Sequence, residues 1–118
     1  MKVIDFDLIE AVFKGDELVR ILNMFIDSFP LEIEDLETAY RNQDWKTLAA
    51  LAFKLRDGAS YFGAMRLMKV CTDLEDYLKS GANENIDEFY EDVLDELKLV
   101  KKSMQDFLKT TKLTIPII

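Results

Sequence analysis

Apolar residues recur at intervals of three and four along almost the whole chain, the spacing of helices that each bury one face. Near the N-terminus Phe6, Ile9, Val12 and Phe13 are the apolar positions, with Asp5 placed to cap a short helix and Gly15 to end it. From Asp16 a stripe of Leu18, Ile21, Leu22, Phe25, Phe29, Ile33, Leu36 and Tyr40 continues for about six turns. Pro30 interrupts that stripe without changing its phase, which predicts one long kinked helix rather than two. Asp44 caps a third helix, with Trp45, Leu48, Ala52, Leu55, Ala59 and Phe62 on one side and an end near Gly63. A fourth carries Met65, Leu67, Met68, Cys71, Leu74, Tyr77 and Leu78 and closes at Gly81. A fifth starts near Asn85 and buries Ile86, Phe89, Tyr90, Val93, Leu97, Val100, Met104, Phe107 and Leu108.

Long amphipathic helices with short connections hide their stripes most simply by packing together. The predicted fold is all-α, an antiparallel up-down four-helix bundle with the first short helix as a lid. Residues 1–112 read as a single domain without repeat or linker. The apolar, β-branched stretch 113–118 (Leu113 to Ile118) should not continue the last helix. It either docks on the bundle or meets a partner.

Composition narrows the chemistry. A chain of 118 residues supports one core, and 49% apolar with 32% charged residues is the balance of a folded globular protein. The formal charge of −8 makes nucleic acid and anionic lipid poor partners. No apolar run approaches the roughly 20 residues of a membrane span, and the first residues lack a secretory stretch, so a cytoplasmic location is expected. The single Cys71 excludes an internal disulfide and any CxxC site, and it falls on an apolar stripe as inert core.

Histidine is absent altogether. That removes the usual proton shuttle near neutral pH, the commonest zinc ligand and every histidine-activated nucleophile. A carboxylate-based enzyme has no supporting motif. The acidic positions Asp87, Glu88, Glu91, Asp92, Asp95 and Glu96 follow helical spacing and read as a solvated face, without the glycine-centred spacing of a calcium loop. The chain is therefore expected to be a non-enzyme that needs no cofactor and no metal.

One segment of the third helix is unusual. At about 100° per residue, Phe53 points roughly 140° away from the core stripe, on the side of Ala50, Lys54, Asp57 and Tyr61. A large aromatic is thus set toward solvent in mid-helix, with Lys46 marking the same side. The alternative is that its ring folds over a neighbouring helix. Gly58 lies in the same patch, although glycine in a helix interior costs about 1 kcal/mol against alanine.

The segment resembles the signature of the histidine-containing phosphotransfer (HPt) domain, A-H-K-L-K-G-x-x-x-x-x-G-A. Ala52, Lys54, Leu55, Arg56, Gly63 and Ala64 match it in register. The flanks are similar too: Gly15-Asp16 opening the second helix, the run from Asp44 to Ala52 before the motif, and the run from Met65 to Glu75 after it. The resemblance has motif support over residues 4–80. Two positions depart from it. Phe53 stands where the family carries its phosphorylated histidine, and Asp57 where it carries a glycine, which follows one place later as Gly58.

The resemblance implies a fold and a surface that meets receiver domains or sensor kinases in two-component signalling. A phenyl ring has no lone pair to accept a phosphoryl group, so a pseudo-HPt binding module, working as a monomer, is expected. Lys54 and Arg56 stand at basic positions that would pair with a receiver's carboxylates, or serve solubility alone. Asp57 opposes that docking, or is simply a solvated charge. Phe53, Ala50, Tyr61 and Tyr40 would form a small apolar contact patch. The competing reading is a helical adaptor or effector with partners outside phosphorelays.

Overall fold

The computed structural model describes residues 2–110, so the apolar tail 113–118 lies outside the described residues. Five helices follow in order: α1 (Phe6–Val12), α2 (Gly15–Arg41), α3 (Trp45–Ser60), α4 (Met65–Lys79) and α5 (Ile86–Thr110). The long four close a ring, with α2 against α3, α3 against α4, α4 against α5 and α5 back against α2. Short connections force neighbours to run in opposite directions, which gives the bundle expected from the stripes. Its axis is filled by Leu22, Leu36, Leu48, Leu74, Val93, Leu97 and Met104, all inaccessible to solvent.

Pro30 sits inside α2 on its exposed side without ending the helix. A proline there removes one backbone donor, and the burial of Phe29, Leu36 and Ala39 on the same helix outweighs that cost. α1 forms the lid. Asp5 caps it by accepting from the Leu8 amide at 3.2 Å, and Phe6 stacks flat on Phe107 at 4.2 Å between ring centres.

The α3–α4 corner explains why α3 stops at Ser60, short of the predicted end. Gly63 takes φ +59°, a left-handed conformation that side chains disfavour, and the Ala64 amide reaches back to the Ala59 carbonyl at 3.1 Å. Together they turn the backbone out of the helix. The lid is tied to this corner through the Asp5 amide, which donates to the Phe62 carbonyl at 3.1 Å. A methyl group at position 63 would lie 2.7 Å from Cβ of Asp5, so glycine is required there twice over.

Two expectations need correction. Met65, assigned to the buried stripe of α4, is exposed, and Glu75 is buried on that helix instead. Glu96, assigned to a solvated face, is half-buried and accepts from Arg66 of α4 at 2.7 Å. The periodicity of α5 fixes which residues face outward but is blind to a cation arriving from the next helix. Among the described residues no helix is long and apolar enough to cross a membrane.

Candidate functional site

α3 is the ridge on which the candidate residues stand. Asp44 begins it, accepting from the Thr47 amide at 3.2 Å and from its hydroxyl at 2.6 Å. Leu48, Ala52, Leu55 and Ala59 then face the core. That phase leaves Phe53 49% exposed, so the ring stands on the outer side of the helix. Ala50, Lys46, Lys54, Asp57 and Tyr61 are exposed as well, while Arg56 is half-buried.

Arg56 does more than add charge. Its guanidinium lies over the Phe53 ring, 4.8 Å from the centre, and forms an ion pair with Glu75 of α4 at 3.1 Å. Glu75 is only 3% exposed, and Lys79 meets its other oxygen at 2.9 Å. One buried carboxylate therefore holds two cations, and one of these packs on the exposed aromatic. Arg56 is committed within the molecule. Lys54 makes no ion pair within 4 Å among the described residues.

The ridge separates two concave surfaces. On the α4 side, a shallow groove of about 550 Å³ is lined by Trp45, Lys46, Ala49, Ala50 and Phe53 of α3 and by Glu75, Leu78 and Lys79 of α4. On the α2 side, a cavity of about 250 Å³ reaches inward between Phe25, Phe29, Phe62, Val100 and Met104, with Glu32, Lys54, Asp57 and Gly58 also lining it. Burial pushes the Glu32 carboxyl above its ordinary range, opposed in part by Lys54 and by Ser28. Phe53 and Asp57, one turn apart, thus line different hollows.

Gly58 lines the second hollow, and a Cβ built there meets nothing within 4 Å. No close approach within the chain demands this glycine. Gly58→Ala should therefore stabilise the fold by about 0.5–1 kcal/mol, read as a higher denaturation midpoint at unchanged slope. A loss of stability would mean that the helix is strained at that point.

The expected apolar patch is only partly assembled. Phe53 and Ala50 share the α4-side groove, whereas Tyr61 stands in the turn after α3, two helical turns beyond Phe53. Tyr40 belongs elsewhere. It stacks on Tyr90 at 3.9 Å, touches Trp45 edge-on and donates its hydroxyl to Asp87, and the opposite end of α3 holds it away from Tyr61. Trp45, placed with the apolar side of the third helix, is half-buried and turns part of its surface to the groove. The residues that sequence reasoning missed are Glu75, Leu78 and Lys79. Glu75 was detectable: it lies one turn after Cys71, and a carboxylate on the buried side of a helix requires a cation from a neighbour.

The ridge offers no nucleophile at position 53, and histidine is absent from the whole sequence. Cys71 cannot substitute. It is fully buried, and desolvation pushes its thiol up to about 12. Alkylation of Cys71 by iodoacetamide at neutral pH should proceed only as fast as the protein unfolds. Rapid labelling of the native chain would contradict that burial.

The family model for the Hpt domain matches residues 20–106. The structure is similar to the crystal structure of the HPT domain from the Hpt sensor hybrid histidine kinase from Shewanella, with a TM-score of 0.77 and 26% sequence identity. The alignment covers 92% of this chain and 95% of that one. No curated protein matches the chain.

Proposed function

The chain belongs to the Hpt domain family, and on that footing we propose that it is a recognition module of two-component signalling that carries no phosphate. Members of this family act by meeting kinases and receiver domains of phosphorelays. The observation that carries the finer reading is Phe53, exposed on the ridge of a sequence without any histidine, where the register of the motif resemblance sets the family's phosphorylated histidine. An imidazole can accept a phosphoryl group because it has a nitrogen lone pair directed outward, and a benzyl group has none. Recognition survives that replacement, since Phe53 still presents a large apolar surface fixed beneath Arg56.

The partner is a receiver domain or a histidine kinase. By occupying it without accepting phosphate, the chain competes with an active phosphotransfer protein. It acts as a binding protein rather than an enzyme.

The test is incubation of the purified chain with radiolabelled, phosphorylated receiver domains from its own cell. Complex formation with all label remaining on the receiver or released as phosphate is the expected result. Label on this chain would end the inactive reading. Absence of binding to every receiver and kinase of that cell would leave the adaptor reading, with partners outside phosphorelays, in its place.

A further inference from the structure

We propose that the groove between α3 and α4 docks a linear acidic segment of a protein partner, one apolar anchor residue flanked by carboxylates. This inference rests on the reading of the chain as a binding module and names the partner chemistry of the α4-side groove. The floor is apolar and made of small or aliphatic groups, Ala49, Ala50 and Leu78. Trp45 and Phe53 stand eight positions apart on α3, about 12 Å along the helix, and bracket that floor with two aromatic rings. A single leucine or phenylalanine side chain from a partner fits between them.

The charge around this floor is opposite to that of the molecule. The chain carries −8 overall, yet the groove is flanked by Lys46 and Lys79, with Arg56 behind Phe53. The one carboxylate in the lining, Glu75, is buried and already held by Arg56 and Lys79. Lys46 makes no ion pair among the described residues, and Lys79 keeps most of its side chain in water. A basic or neutral segment would gain nothing from this rim, whereas an acidic one would be repelled by most of the surface and drawn to this stretch.

The footprint also has limits. Past Trp45 the next hollow is lined by Glu84 and Asp87 with Arg41 as its one cation, so the run of positive charge along the groove ends there. Asp57 lines the cavity on the α2 side of the ridge and does not line the groove. The carboxylate that opposes docking at the motif therefore leaves this groove open to an acidic ligand.

The experiment uses the full chain, isotopically labelled, titrated by NMR into the millimolar range with a short blocked peptide bearing one phenylalanine flanked by glutamates. Trp45 is the sole tryptophan of the sequence, so its indole signal reports directly on the groove. Saturable shifts of the Trp45 indole and of Ala49, Ala50 and Leu78 amides are expected, weakening as salt is added. Lys46→Glu should weaken binding at least tenfold, and Phe53→Ala several-fold, with the rest of the spectrum unchanged. A lysine-flanked control peptide should leave the groove signals in place. Equal binding of both peptides, insensitivity to Lys46→Glu, or shifts centred on Glu32 and Gly58 would each overturn the inference. Receiver or kinase binding that persists while the peptide fails leaves the phosphorelay reading standing. Peptide binding without any receiver or kinase partner removes that reading and keeps the groove.

Discussion

Phe53→His combined with Asp57→Gly is expected to turn the chain into a phosphoryl acceptor. The first change restores an imidazole on the exposed ridge, and the second removes a carboxylate one turn away that repels an incoming acidic cleft. In the transfer, an imidazole nitrogen bonds to phosphorus while the bond from phosphorus to the receiver's aspartate oxygen breaks, returning that aspartate to a carboxylate. Adjacent glycines at 57 and 58 weaken α3 by about 1 kcal/mol, which Gly58→Ala offsets. Acid-labile label should appear on the altered chain and never on the natural one. A folded variant that stays unlabelled with several receivers would show that the family relationship does not extend to the transfer surface.

Stripping both cations from Glu75 should cost several times the stability of an ordinary surface change. Arg56→Ala with Lys79→Ala leaves a carboxylate that is 3% exposed without either partner, a loss of about 3 kcal/mol. Each single variant should lose less, because one cation remains and both cations are partly in water. Adding Glu75→Leu to the double variant should recover most of the loss, since an apolar side chain at that depth needs no counter-ion. Urea denaturation of the natural chain and the four variants decides the matter. If the double variant matches the natural chain, Glu75 is not held in place by its partners.

The bundle was legible in the sequence because burial on a helix repeats every three to four residues, and the stripes Leu18 to Tyr40 and Ile86 to Leu108 keep that phase for many turns. The same phase placed Phe53 outside and Cys71 inside, as the structure has them. What the stripes could not carry is which helix an outward residue leans toward. Arg56 read as a free docking cation until α4 supplied Glu75, and Asp57 and Phe53 read as one patch until α2 and α4 divided the ridge between them. Such pairings depend on how neighbouring helices slide past one another, a quantity that no single helix encodes. Tyr40 was misplaced for the same reason: it projects at the far end of α3, where Tyr90 and Asp87 of α5 engage it.

The two ends of the bundle differ in how they would receive extra sequence. At the α3–α4 corner, Gly63 lies against Asp5 and the lid, so added residues there would pry α1 from its seat. At the α4–α5 connection, a side chain at Gly81 would meet no neighbour within 4 Å, and Gly81, Asn83, Glu84 and Asn85 are exposed. That second connection takes added sequence without moving α1, but Asn83 and Glu84 line the hollow beside Trp45, so a bulky insertion there would crowd that end of the groove.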